Sequence, residues 1–176
     1  MTTSKPVFLI TKRMVRISIK WGVILGVALV IGTQILTWLG LGTSNWFIVL
    51  TYVLVITAVL LCTKKLKRKL LDDFSFLKSF LSVLIVILIS RYIFQAYMYV
   101  YINFVDPNWI ETISEKWTIM LQEKNLSTDQ IKNQISRFQK SYEPLNMFTI
   151  EIIYIGLSQF ILGCVATSLY LWRAKK

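Results

Sequence analysis

Histidine is absent from this 176-residue chain, cysteine occurs twice and proline three times. Each shortage removes a class of chemistry. Without histidine there is no imidazole to activate a serine or cysteine nucleophile, and the commonest neutral metal ligand is missing. Cys62 and Cys164 stand far apart in sequence, so neither belongs to a paired zinc or redox motif. Both fall in apolar stretches and are expected to be reduced, small hydrophobes. No glycine-rich phosphate loop occurs. The residues predict no cofactor, no metal centre and no stand-alone enzyme.

Charge is scarce as well, at 16% of residues against roughly 25% in a soluble domain. Acids are the scarcer sign: 9 Asp and Glu face 20 Lys and Arg, for a net charge of +11. Nucleic-acid binders share such an excess, but they spread it over a polar surface beside aromatic platforms. Here Lys20 and Lys64 bracket a run, Trp21 to Thr63, with no charge at all. No nucleic-acid partner is expected. The chain reads as a membrane protein, with the lipid bilayer as its first partner.

What is abundant is apolar sequence, 55% of the whole. About 20 apolar residues cross a bilayer core, so the run from Trp21 to Thr63 must hold two spans. It breaks at Gly40-Leu41-Gly42-Thr43-Ser44-Asn45, where glycines and small polar residues favour a turn. Spans are expected at residues 21–41, 46–63, 79–104 and 147–172. The expected fold is an all-α membrane protein in a single domain. It is a four-transmembrane-helix bundle with an extracytoplasmic amphipathic helical hairpin, residues 106–146, between spans three and four.

The hairpin reads as two helices. Asp106-Pro107 offers a cap followed by a proline at the first helical position. Trp109, Ile110, Ile113, Trp117, Met120 and Leu121 then recur at helical spacing, with Asn125 as a stop. Ser127 and Gln130 make a capping box, and Leu126 with Ile131 fit a hydrophobic staple. Ile131, Ile135 and Phe138 line one face until Pro144. Such a hairpin must lay its stripe on something, which makes Trp109, Ile113, Trp117, Ile131, Ile135 and Phe138 the candidate partner or membrane-surface contact.

Orientation follows from the basic residues. Lys5, Lys12, Arg13, Arg16 and Lys20 precede span one, and Lys64, Lys65, Lys67, Arg68, Lys69 and Lys78 join spans two and three. Arg173, Lys175 and Lys176 follow span four. The hairpin has five basic residues and six acids. Both termini are therefore expected in the cytoplasm of a bacterium, with the chain in its inner membrane. The first apolar stretch is about twice the length of a signal-peptide core and no cleavage site follows, so it is expected to stay. Belt residues agree: Trp21 and Trp172 mark the inner interface, and Trp38, Trp46, Tyr99, Tyr101 and Trp109 the outer one.

Arg91, near the middle of span three, is the candidate for chemistry. An arginine there costs about 2.5–3.5 kcal/mol, and the fourteen Leu, Ile, Val and Phe of residues 80–104 return about 0.3–0.6 each. The span inserts, but Arg91 must face protein or water. Depth counting gathers Gln34, Gln95 and Gln159 around it as a midplane polar cluster. That cluster is either a substrate, ion or lipid-headgroup site, or a packing network in which glutamines satisfy the guanidinium. Glu151 counts roughly 13 Å away from Arg91 in depth and is expected to cap its own helix. Lys64, Lys65, Lys67, Arg68 and Lys69 would contact anionic lipid at about 1 kcal/mol each, or simply fix topology. Gly22 and Gly26 form a GxxxG pattern that suits packing within the bundle or dimerisation.

The residues Trp21-Gly22-Val23-Ile24-Leu25-Gly26, Phe74-Ser75-Phe76-Leu77-Lys78-Ser79-Phe80 and Tyr101-Ile102-Asn103-Phe104-Val105-Asp106-Pro107 carry a resemblance. So do Leu126-Ser127-Thr128-Asp129-Gln130-Ile131 and the basic C-terminal end. Together they resemble an uncharacterised bacterial four-span inner-membrane family, domain of unknown function number four-one-nine-nine. This chain has Asp72, Asp73 and Leu77 where glycines precede the family's third span. The resemblance implies the same four-span topology and no activity.

Two functional readings result. One is a non-enzymatic subunit or scaffold that contacts a partner, another membrane protein or a second copy, through the hairpin. The other is a small oligomeric transporter or channel with its site around Arg91. Topology is testable directly. A reporter fused after Arg173 should read as cytoplasmic, and Asn133→Cys should be labelled by an impermeant thiol reagent on intact cells. Labelling only after lysis would reverse the orientation.

Overall fold

The computed structural model describes residues 11–40, 45–71, 74–124 and 126–173. Lys5, Asn125, Lys175 and Lys176, like the side chains of Trp46 and Glu151, lie outside what is described. Four helices are long and apolar enough to cross a membrane: Lys12–Trp38, Ile48–Leu70, Phe76–Val105 and Pro144–Arg173. In chain order the elements are α1 (Lys12–Trp38), α2 (Asn45–Leu70), α3 (Phe76–Val100), α4 (Trp109–Glu123), α5 (Thr128–Ser141), α6 (Pro144–Asn146) and α7 (Ile152–Arg173). A π-helical turn at Tyr101–Val105 prolongs α3, and another at Met147–Glu151 leads into α7. No strand occurs among the described residues. The all-α, four-span fold is the one expected.

The helices outrun the spans read from hydropathy. α1 starts at Lys12, where the Thr11 side chain accepts from the Met14 N–H at 3.2 Å as its cap. α2 runs on through Lys64, Lys65, Lys67, Arg68 and Lys69, which the sequence placed in a loop. Lys and Arg are good helix formers, and at a helix C-terminus they meet the negative end of the dipole. Arg13 donates from Nη1 to the Lys69 carbonyl at 3.0 Å, satisfying one of the carbonyls that the helix end leaves open. α2 then stops at Leu71, a non-glycine residue at φ 42°. Ser75 caps α3 by accepting from the Lys78 N–H at 3.2 Å, and Lys78 itself is buried, 5% exposed, in the first turn.

Around the bundle the order is α1, α2, α7, α3, with the most extensive contact between α1 and α3. Gly22 and Gly26 explain that contact. A Cβ on Gly22 would lie 2.8 Å from Ile89 Cβ, and one on Gly26 would lie 2.9 Å from Ile93 Cβ. Small residues let these backbones meet, which is the usual basis of close helix packing in membranes. The pairs advance in the same direction, so α1 and α3 are parallel neighbours. Gly32 meets Leu50 and Leu54 while Arg13 meets Lys69, so α2 runs antiparallel to α1. α7 is antiparallel to α3, since Gly163 meets Val83 and Gly156 meets Ile87. The GxxxG pattern serves packing inside the bundle.

The hairpin starts differently from expectation. α4 opens at Trp109 with Asn108 as its cap residue and no side-chain cap hydrogen bond. Asp106 instead closes the π-helical turn: its N–H donates to the Tyr101 carbonyl at 2.9 Å, and its own carbonyl accepts from Trp109 N–H at 3.1 Å. Pro107 lies in the turn from Asp106 to Trp109 that follows. Ser127 and Gln130 form the complete capping box of α5, with bonds of 3.0 and 3.3 Å. α5 ends at Ser141, and Pro144 begins α6 instead of merely stopping α5.

Gly26→Leu should lower unfolding free energy in detergent by about 1–3 kcal/mol, the usual cost of overpacking. Adding Ile93→Ala should return part of the loss, because it removes the atoms met by the new side chain. Denaturation in mixed micelles measures both.

Candidate functional site

α3 turns one face into the bundle at Ser90, Arg91, Phe94, Gln95 and Met98, all buried at helical spacing. Arg91 is 4% exposed and Gln95, one turn on, also 4%. Across the interface Gln159 of α7 is 1% exposed, and its Oε1 accepts from Arg91 Nε at 2.9 Å. The arginine Cζ lies 5.9 Å from the centroid of the Phe94 ring, within the range of a cation–π contact. Two of the three glutamines expected beside Arg91 are therefore buried with it. The third, Gln34, is half-buried on α1 and lines the same cavity, but it lies eight residues beyond Gly26, which meets Ile93, and so about 12 Å nearer the hairpin end than expected.

That cavity holds about 460 Å³ and extends from Arg91 along α3 past Met98 to Tyr101. Thr33, Gln34 and Thr37 of α1, Ile48 of α2 and Ile155 of α7 also line it, so all four spans contribute. The hairpin covers it: Trp109, Ile113, Trp117 and Phe138 line its wall together with these bundle residues. Their rings hold one another in place. Trp117 and Phe138 are 4.9 Å apart between centroids, Phe138 and Tyr142 5.1 Å, and Trp109 and Tyr142 5.2 Å. Gln139 Nε2 donates to Ser114 Oγ at 3.3 Å and pins α5 to α4.

The expected hairpin stripe thus divides. Trp109, Ile113, Trp117 and Phe138 face the bundle cavity, whereas Ile131 and Ile135 line a separate open groove between α4 and α5. Lys64, Lys65, Arg68 and Lys69 are exposed and Lys67 half-buried on the last turns of α2, anchored by the buried Leu66 and Leu70. They lie at the opposite end of the bundle from the hairpin. Cys62 and Cys164 are free thiols.

The charge of the cavity has one sign. Arg91, Lys116 and Lys124 line it, and no carboxylate does so among the described residues. The Phe148 ring lies 6.5 Å from that of Tyr92 and 6.2 Å from that of Tyr99, joining the hairpin end of α7 to α3.

Sequence reasoning missed two features. Tyr97, whose hydroxyl is buried and has no hydrogen-bond partner among the described residues, lines the cavity. It stands six residues from Arg91, about 120° round the helix, so helical spacing from Arg91 gives no signal for it. At the opposite end, Ser18, Thr63, Ser79 and Ser82 are buried together with Lys78, and Ser79 Oγ donates to Thr63 Oγ1 at 3.4 Å. Isolated serines in apolar helices give no such signal.

Gln159→Leu should remove the acceptor of a buried guanidinium N–H and lower stability by about 1–3 kcal/mol. Gln34→Leu, on the cavity wall, should cost clearly less. Melting in detergent followed by circular dichroism compares them.

A family model described as "Protein of unknown function (DUF4199)" matches residues 20–170. No curated protein and no solved structure matches the chain. The match takes in the second and third spans, the hairpin, every residue of the Arg91 cavity and most of the first and fourth spans. The chain is a multi-pass membrane protein and belongs to the DUF4199 family.

Proposed function

We propose that this protein is a non-enzymatic binding protein of the membrane that takes a small anionic ligand into the hairpin-covered cavity. One observation carries the reading: Arg91, held by Gln159, stands at the floor of a 460 Å³ cavity whose charged lining residues, among those described, are Arg91, Lys116 and Lys124. The volume falls in the range of small-molecule sites, about 300–1,000 Å³. A guanidinium that keeps its charge in a low-dielectric place favours an oxyanion.

Packing beneath Arg91 supports binding over conduction. One turn toward the basic end, Val59, Val83 and Ile87 converge on Gly163, where a Cβ would lie 2.8 Å from Val83 Cγ1. All three side chains are almost fully buried. A ligand would enter and leave by the hairpin end, and a transport cycle would have to part this layer. The excess of basic residues at the other end supports cytoplasmic termini in a bacterial inner membrane, with the cavity opening outward.

A second reading, a scaffold that holds a partner through the hairpin, draws on the α4–α5 groove and on Ile119, which is 58% exposed. It places the partner on Ile135 and Ile119, away from the cavity-facing indoles, since Ile131 is buried.

Extraction of the purified protein from its native membrane, followed by mass spectrometry of small molecules, separates the two. A molecule retained by the wild type and lost from a folded Arg91→Gln variant supports the cavity. Identical extracts from both sink it. A protein that co-purifies and is lost on deleting residues 108–142 supports the scaffold.

A further inference from the structure

At the basic end of the bundle, α1 and α2 are held in one register. Gly32 meets Leu50 and Leu54, and at the far end of the same seam Arg13 Nη1 donates to the Lys69 carbonyl at 3.0 Å. Gly32 is as far from Arg13 along α1 as Leu50 is from Lys69 along α2, so the antiparallel pair keeps step in between. That register sets Lys20 at the level of Cys62 and Arg16 at the level of Leu66. Arg13, Lys20 and Ile24 recur at helical spacing on the face of α1 that reaches α2. On α2 the stripe of Leu50 and Leu54, which meets α1, continues by the same spacing to Leu61, Lys65 and Arg68. All six of these residues beyond the glycine contact are exposed, so the two stripes form the lipid-facing flank of the seam.

Opposed helices aim the side chains at each other. A Cα–Cβ bond tilts toward its helix N-terminus, so Lys20 leans toward the basic end and Arg68 toward the bilayer. Their charged tips converge on one level, beside the first residues of the charge-free run that starts at Trp21. Every described Asp and Glu side chain belongs to residues 106–143, at the far end of the bundle, and Asp72 and Asp73 lie outside the described residues. One turn into the bilayer both faces become aliphatic, with Ile24 44% and Leu61 42% exposed. The seam is therefore cationic at the edge of the hydrocarbon and aliphatic just inside it.

We propose that the α1–α2 seam binds an anionic phospholipid of the leaflet at the basic end, its phosphodiester between Lys20 and Arg68 and its acyl chains on Ile24 and Leu61. Basic residues near the membrane surface attract such lipids, and those between helices form headgroup sites. Topology alone needs a number of cations beside the spans, without any register between two helices. Lys12 and Lys67 supply the contrast, since each stands one residue from a seam cation and about 100° round its helix from it. A free phosphate would use the cations and leave the aliphatic faces idle. The site lies at the opposite end from the Arg91 cavity and is independent of what that cavity holds.

The test titrates the full chain in neutral detergent with phosphatidylglycerol, with phosphatidylcholine of the same acyl chains, and with inorganic phosphate. Native mass spectrometry counts bound lipid, and the melting temperature is followed in parallel. One phosphatidylglycerol should bind at least about tenfold more tightly than phosphatidylcholine, and Lys20→Gln with Arg68→Gln should weaken it by about thirtyfold. Lys12→Gln with Lys67→Gln removes the same charge away from the seam and should cost less than about threefold. Lys20→Arg with Arg68→Lys keeps the charge and should keep the affinity, which guards against a misfolded double variant.

Equal losses in the two glutamine pairs would mean that the lipid responds to total charge, and would overturn the seam. Equal binding of phosphatidylcholine would overturn it as well. Displacement of the lipid by inorganic phosphate at matched concentration would reassign the cations to a free anion. Loss of binding in the charge-keeping pair would trace the effect to folding and sink the proposal.

Discussion

A guanidinium cannot shed its charge at any accessible pH, so a chain that carries one halfway along a span must build a polar place for it. Arg91 sets that requirement here, and much of the upper half of the bundle follows from it. Gln159 has to cross from α7 to accept its Nε proton. Phe94 presents a ring face rather than a methyl. Gln95 can be buried only because polar neighbours share the same enclosure. The packing of four helices round such a group leaves a cavity instead of a filled core, and the hairpin's rings then cover it.

The lower half obeys a different constraint. Lipid offers no hydrophobic drive for one apolar helix to leave it for another, so contact there depends on shape. Glycine supplies the shape at position 163 there, and at positions 22 and 26 on the flank of α3 beside Arg91, each facing a branched side chain closer than an added Cβ would allow. Hydroxyls in this region mostly bond back within their own helix, as Ser18 does to Met14 O at 2.9 Å and Ser168 to Cys164 O at 2.7 Å. They can be buried without a partner helix. One molecule thus joins a tightly fitted basic end to an open, polar hairpin end, with Ile87 and Arg91 adjacent at the boundary.

The features that were legible in the sequence are those governed by period or by solvent. Spans followed from hydropathy, because the cost of charge in hydrocarbon leaves few alternatives. The Arg91–Gln159 pairing followed from depth counting, since both residues fall near the middle of their helices. Ser127 and Gln130 announced α5 because a capping box is a local device. What the sequence hid depends on long-range fit. Whether the hairpin stripe met lipid, bundle or partner could not be read from Trp109 or Trp117 alone. The π-helical turns have no composition of their own, so Asp106 looked like an ordinary cap. Lys78 read as a loop charge, whereas the turn at Leu71 and the cap at Ser75 draw it into the first turn of α3.

The parallel pairing of α1 with α3 bears on how the chain is made. A ribosome delivers α1 and α2 together, and those two can close at once as an antiparallel pair, with Leu50 against Gly32. Gly22 and Gly26 still have no partner then, because Ile89 and Ile93 belong to a helix that has yet to emerge. The most extensive helix contact among the described residues is consequently a late one, joining segments far apart in sequence, and such contacts form slowly. Until α3 arrives, the bare glycine face of α1 is open to lipid or to any other small-residue helix nearby. Assembly of this bundle is a race between its own third span and its neighbours.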